Sequence, residues 1–186
     1  MAFQGAKVTL ENVAIEVTGA RNDSGAYSAV YMDASITAEL KNVDIRSEQI
    51  GVFSAGAGNN ITIDGNGNTV TANECVGLYI KADLSKLTVT DLTLKGVLPE
   101  GSLAGEGGTG SFMGIGTYNG CYGVGDLQLT NVTVDGFSYG LYFGKNPAGG
   151  NGPYNENPVS VTANNLTVQN CYIKSCLLYT SPSPRD

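Results

Sequence analysis

The sequence contains no histidine and no tryptophan, and only 15% of its 186 residues are charged. Without histidine, no imidazole can serve as a catalytic base or a metal ligand. Basic residues are also few, because 10 lysines and arginines stand against 17 aspartates and glutamates, which gives a net charge of -7. A chain this acidic does not attract phosphate backbones, so we expect no nucleic-acid partner.

The sequence also lacks long apolar runs. No stretch approaches the roughly 20 apolar residues of a membrane span, so we expect no membrane insertion. The segment from Met1 to Gly5 lacks the charged and apolar regions of a signal peptide. Either the protein is cytoplasmic or Met1 is not its true start.

The last eleven residues, 176–186, resemble the in-frame translation of a sequencing adapter over their whole length. The resemblance implies that the reading frame ran out of its DNA insert; the alternative is a natural terminus rich in serine and proline. We therefore predict one domain over residues 1–175 that is truncated at its C-terminus. Its N-terminus is a second candidate for truncation. The three cysteines outside the tail are an odd number, which argues against a disulfide framework.

Two short patterns alternate along the chain. The first begins with a small residue, followed by an aliphatic residue, in most copies an aromatic residue, and then a mostly bulky one. Its copies begin at Ala29, Gly51, Gly77, Gly114 and Gly140, with spacings of 22, 26, 37 and 26 residues. This is the length of one β-solenoid coil with one insertion, and the period-two alternation predicts half-buried strands.

The second pattern is a pair of alternating apolar residues, then Asn or Asp, then a second alternating pair. Its centres are Asn12, Asn42, Asp91, Asn131 and Asn165. Leu10 and Val13 are three residues apart, so strict alternation would place these two apolar side chains on opposite faces. We expect Asn12 and its equivalents to bend the chain in the left-handed conformation that Asn tolerates, and to bond each other from strand to strand as a ladder.

These patterns resemble the pectate-lyase superfamily over about residues 8–173. The resemblance implies an all-β fold: a right-handed, single-stranded parallel β-helix (β-solenoid) of about five coils. Each coil would have three strands, with the Asn turn between the second and the third. The segment Ile61–Val70 departs from this pattern, because it has a Gly-rich turn in place of one Asn. The end of such a stack is an exposed strand edge, which we expect to self-associate.

In the first pattern, the aliphatic residues should point into the core and the aromatic residues outward. The aromatic residues, one per coil, are Tyr31, Phe53, Tyr79 and Tyr142. Gly116 interrupts this column, although Tyr118 stands two residues further along the same face. The resemblance implies that polysaccharide binds along this face, between walls formed by the Gly-rich segments 97–111 and 144–158. The alternative is that the aromatic rings stack on each other or are covered by these loops.

Asp33 and Lys81 stand two residues after Tyr31 and Tyr79, so they should share the aromatic face. In a lyase, Lys81 could abstract the proton next to a uronate carboxylate, aided by a metal-bound acid. The two side chains would be about 10 Å apart, which is far for direct cooperation. The Gly-His-Gly element of polygalacturonase-like hydrolases is absent, because the chain has no histidine. We therefore predict no catalytic residue, with Lys81 and Asp33 as the alternative.

The segment Asp64–Asn68 alternates oxygen-bearing residues with glycine, as calcium loops do, but it lacks the later glutamate. We expect it to be a turn, and we expect neither a metal nor another cofactor in this chain.

Taken together, these features predict a non-catalytic segment of a secreted or cell-surface protein that binds a glycan or serves as a structural stalk. The alternative is a fragment of a polysaccharide lyase or glycoside hydrolase whose catalytic coils lie outside this chain. The extracellular location rests on the resemblance and on the acidic composition, rich in Thr, Asn and Gly.

Overall fold

A computed structural model describes residues 1–18, 28–73, 76–80, 86–97, 113–117, 126–143 and 160–177. In these ranges the chain is all-β, with fourteen strands, parallel strand pairs and no helix. It follows that this part of the chain holds no helix that could span a membrane.

The strands follow one another at short intervals. In chain order they are β1 Ala2–Phe3, β2 Lys7–Val17, β3 Ser28–Met32, β4 Thr37–Ser47, β5 Ile50–Ser54, β6 Asn60–Asp64, β7 Thr69–Ala72, β8 Val76–Ile80, β9 Lys86–Gly96, β10 Met113–Thr117, β11 Asp126–Asp135, β12 Tyr139–Phe143, β13 Val161–Gln169 and β14 Ile173–Leu177. Strands β3, β5, β8, β10 and β12, of five residues each, carry the first sequence pattern, and the longer strands β2, β4, β9, β11 and β13 carry the second.

The strands form two sheets, and the chain passes from one to the other after almost every strand. The first sheet has the order β1-β3-β5-β8-β10-β12-β14, and the second has the order β2-β4-β6-β9-β11-β13. Strand β7 pairs with both β4 and β9, so β6 and β7 together take one place in the second sheet. The predicted all-β, parallel architecture is therefore confirmed at the level of the two sheets.

The core consists of the inward-facing apolar residues of both sheets, which form one cluster. In the first sheet the aliphatic residues of the first pattern are at most 7% exposed: Val30, Val52, Leu78, Ile115 and Leu141. In the second sheet Leu40 and Val43, on either side of Asn42, are both fully buried. The predicted inward orientation of these residues is confirmed. Phe137, which neither pattern singled out, has the largest of the fully buried side chains among the described residues.

Steric contact between neighbouring strands explains why most copies of the first pattern begin with glycine. A Cβ atom built on Gly51 would lie 2.6 Å from the carbonyl oxygen of Gly77, and one on Gly77 would lie 2.7 Å from that of Gly114. The same relation repeats between Gly114 and Gly140, at 2.6 Å. Since real Cβ atoms do not approach oxygen this closely, the next strand of the sheet leaves room only for glycine at these positions.

Strand β13 lies at the edge of the second sheet, and its side chains are mostly exposed. Val161 is 36% exposed, whereas Leu127, its partner in β11, is fully buried. The self-association expected of such an edge remains a prediction.

Candidate functional site

Aromatic side chains form a row across the first sheet. Tyr31 pairs with Phe53 and Phe53 with Tyr79, each on the neighbouring strand. Gly116 follows Tyr79 in the register, and Tyr142 follows Gly116. We call Tyr31, Phe53, Tyr79 and Tyr142 the aromatic row. Its four side chains are half-buried, which places them on the outer surface of the sheet, opposite the core.

The rings of the aromatic row contact each other. The ring centroids of Tyr31 and Phe53 are 5.3 Å apart at an interplanar angle of 87°, and those of Phe53 and Tyr79 are 4.7 Å apart at 21°. These are the edge-to-face and stacked arrangements that aromatic pairs prefer. One face of Phe53 is therefore covered by Tyr79. The ring contacts that the sequence offered as the alternative to glycan binding are therefore present between these three residues.

A buried row of apolar side chains lies beside the aromatic row. Ile50, Val76 and Met113 each precede the small residue of a first pattern, and they are at most 2% exposed. They form a second apolar cluster, against which Phe53, Tyr79, Tyr139 and Tyr142 pack. Sequence reasoning missed this cluster. Its signal in the sequence is an apolar residue directly before each of these small residues.

Met113 of this second cluster occupies the gap that Gly116 leaves in the aromatic row. A Cβ atom built on Gly116 would lie 2.6 Å from Sδ of Met113 and 2.9 Å from the carbonyl oxygen of Tyr142. Met113 thus fills the space that a side chain at position 116 would need. Tyr142 instead contacts Tyr139, with centroids 5.0 Å apart at 67°.

Of the residues considered for catalysis or for the binding face, only some lie in the described ranges. Asp33 is half-buried directly after β3, and its backbone N–H donates to the carbonyl oxygen of Phe3 at 3.0 Å. Lys81 and Tyr118 lie outside the described residues, as do the expected loop walls apart from Val97. In the part of the chain that is described, no group of three or more Asp, Glu, Cys or His residues could hold a metal ion.

A second row of side chains crosses the second sheet at the centres of the long strands. We call Asn12, Asn42, Asp91, Asn131 and Asn165 the asparagine row. All five have φ between 49° and 55°, the left-handed conformation. This conformation lets the apolar residues on either side face the core, because it resets the alternation of the strand.

Amide hydrogen bonds join the asparagine row in one direction. Nδ2 of Asn42 donates to Oδ1 of Asn12. In the same way, Nδ2 of Asn131 donates to Oδ1 of Asp91 at 2.8 Å, and Nδ2 of Asn165 donates to Oδ1 of Asn131 at 3.0 Å. Each donor therefore points to the strand nearer the N-terminus, and each acceptor oxygen points to the strand nearer the C-terminus.

Between Asn42 and Asp91 the row crosses a wider turn, residues 65–68. Lys41 and Ile45 of β4 have three residues between them, but their partners Asp64 and Val70 have five. The two additional residues split what would be one long strand into β6 and β7.

The wider turn is bonded to both of its neighbours. Nδ2 of Asn66 and Nδ2 of Asn68 both donate to Oδ1 of Asn42, at 3.4 and 2.6 Å. On the other side, the backbone N–H of Gly67 donates to the carbonyl oxygen of Asp91 at 2.8 Å. Among the described residues, the side chain of Asp91 is linked onward only to Asn131. The side-chain ladder is therefore interrupted between the wider turn and Asp91.

An open surface depression of about 300 Å³ lies at this interruption. Its lining consists of Asn66, Gly67, Asp91, Leu92, Thr93 and Asn131. Most of these residues have oxygen-bearing side chains, so the depression is polar and differs from the apolar surroundings of the aromatic row.

One ion pair is present among the described residues, between Nζ of Lys41 and Oε2 of Glu39 at 3.0 Å. The hydrogen bond and the charge of Lys41 hold the pKa of Glu39 below its ordinary value, and Glu39 raises the pKa of Lys41. Because both side chains are exposed, such a pair contributes little to stability. We assign it no functional role.

Comparison of the chain with protein-family models, with curated proteins and with solved structures gave no match. Function must therefore be argued from the two rows themselves.

Proposed function

We propose that this chain is a segment of a right-handed parallel β-helix of the pectate-lyase type. In this proposal each coil gives one strand to the first sheet and two to the second, joined by the left-handed Asn or Asp. Three observations support it. The chain alternates between two parallel sheets, each long strand has a left-handed Asn or Asp near its centre, and the repeats have the length of a coil. The right hand follows from the strong preference of parallel crossover connections.

We further propose that the segment is non-catalytic, lies outside the cell and holds a glycan along the aromatic row. The observation that carries this proposal is the in-register row of half-buried aromatic side chains on the outer surface of the first sheet. Rows of this kind repeat at the strand spacing of about 4.8 Å. Such a row offers an extended saccharide apolar ring surface for its C–H groups and phenol hydroxyls for its hydroxyl groups.

Binding on a glycan array tests this proposal. The parent protein should be retained on one or more neutral or acidic polysaccharides. The triple variant Tyr31→Ala, Tyr79→Ala and Tyr142→Ala should lose at least tenfold in retention. Tyr172→Ala removes a tyrosine that is 57% exposed outside the row, and this control should bind like the parent.

The three single Tyr→Phe variants keep the rings and remove the hydroxyl groups, so they report on the site even if the triple variant folds poorly. Their retention should fall because the phenol hydroxyls would no longer bond the sugar. No retention of the parent on any glycan would contradict glycan binding and leave the structural stalk as the function. Release of unsaturated uronides from acidic polysaccharide by the parent, and its loss in Lys81→Ala, would overturn the non-catalytic assignment in favour of a lyase.

A further inference from the structure

The two edges of the second sheet are not equivalent, because the strands of this sheet pair in parallel. Among the described strands, β2 forms one edge and β13 forms the other. A second copy of the chain would continue the parallel sheet by placing its β2 beside the β13 of the first copy. Two β13 edges related by a two-fold axis would instead meet as antiparallel strands.

The asparagine row gives these two edges opposite hydrogen-bonding groups. Asn131 donates through Nδ2 to the preceding strand and accepts through Oδ1 from the following one. Asn165, at the β13 edge, makes the same donation to Asn131, so its Oδ1 stands ready to accept. Asn12, at the β2 edge, accepts through Oδ1 from Asn42, so its Nδ2 stands ready to donate. The β2 edge therefore offers a donor where the β13 edge offers an acceptor.

The apolar side chains of the two edges match as well. Val161 is 36% exposed at the β13 edge, and Leu166 and Val168 are only half-buried there although they pack against the core. The register of the sheet, continued by one strand, places each of them beside an apolar residue of β2 in the second copy. These pairs are Val161 with Val8, Leu166 with Val13 and Val168 with Ile15. Such pairing would remove the exposed apolar surface from water.

The charges of the two edges also permit this contact. Strand β13 contains no charged residue, so it lacks the charges with which many natural edge strands resist pairing. Strand β2 contains Lys7, Glu11 and Glu16. In the continued register Glu11 would lie beside Asn164, whose amide can donate to a carboxylate. No like charges meet between the two strands.

We infer that copies of this chain join head to tail, with β13 of one copy paired in parallel with β2 of the next. Asn12 of the second copy would then donate to Asn165 of the first and continue the asparagine row across the contact. Each joined pair still presents one β2 edge and one β13 edge, so the contact repeats into an open filament and does not close as a dimer. This inference is independent of the proposed glycan binding, because it concerns the edges of the other sheet.

Sedimentation velocity of the 186-residue chain over a range of concentrations tests the inference. The parent should form dimers and longer species whose proportion rises with concentration. Asn164→Glu places a carboxylate opposite Glu11 of the next copy, so it should weaken association by about tenfold. Adding Glu11→Lys to the same chain converts this repulsion into attraction and should restore association. Two β13 edges paired with each other would not respond to a change at Glu11.

Gln128→Glu is the matched control, because it adds the same charge at an exposed position of β11, one strand inside the edge. It should associate like the parent. Circular dichroism of each variant verifies that the sheets are formed. A parent that stays monomeric at all concentrations would overturn the inference. Association of the double variant that is as weak as that of Asn164→Glu would also overturn it.

Discussion

The two rows of side chains are built in the same way but respond differently to an interruption. The aromatic row loses a member at Gly116, and Met113 from the neighbouring apolar cluster fills the space. The asparagine row loses its donor at Asp91, and an open polar depression lies there. Apolar contacts have little directional preference, so a neighbour of suitable size can replace a missing ring. Hydrogen bonds need a donor for each acceptor, so no shift of an apolar neighbour repairs their loss.

The difference predicts that the asparagine row tolerates substitution less well. Asn131→Ala should destabilise the protein by about 2–3 kcal/mol, because it removes two side-chain hydrogen bonds and places a Cβ-bearing residue with no local hydrogen bond at a left-handed φ. Urea unfolding measures the change in the free energy of unfolding. Asn131→Gly is the matched control, since glycine adopts this φ freely and should recover about 1 kcal/mol of the loss. Equal losses in both variants would show that the conformation contributes nothing.

The gap of the aromatic row can be tested by filling it. Gly116→Ala should destabilise by about 1–2 kcal/mol, because the new methyl group would meet Sδ of Met113 and the carbonyl oxygen of Tyr142. If the two sites acted independently, the loss in the double variant Gly116→Ala, Met113→Ala would equal the sum of the losses in the two single variants. Relief of the contact should instead make the double variant more stable than the sum of the two single changes.

The smallest effect is expected within the aromatic row itself. Phe53→Leu keeps an apolar side chain against Tyr31 and Tyr79 but removes both ring–ring contacts. The free energy of unfolding should fall by about 1 kcal/mol. Tyr172→Leu changes an exposed aromatic residue outside the row and should leave it unchanged. A loss for Phe53→Leu as large as that of Asn131→Ala would refute the difference between the rows.

Much of the fold could be predicted from local patterns. Period-two alternation placed Val30, Val52 and Leu78 in the core, and the three-residue spacing around Asn42 required a bend there. The aromatic residues were expected at equivalent positions of successive repeats, and the register of the first sheet places them so.

Other features could not be read from one repeat at a time. Period-two alternation puts Ile50, Val76 and Met113 on the same face as Val52, Leu78 and Ile115. Their separation from the main core into a second cluster depends on the aromatic rings that pack against them, which the alternation does not reveal. The stacking of Tyr79 over Phe53 likewise depends on ring orientations that the register alone leaves open. The interruption at Asp91 was visible only once the wider turn was known to be its neighbour.

The sequence by itself determined where the strands and bends are, because alternation and the left-handed preference of Asn act over a few bonded residues. The tertiary structure alone decided which side chains meet across the sheets. Asp91 and Asn66 are far apart along the chain, and their relation arises from the register of parallel strands. The contact of Gly116 with Tyr142 on the neighbouring strand also arises from this register. Packing between strands therefore decides that Met113 fills the space beside Gly116, while the space beside Asp91 stays open.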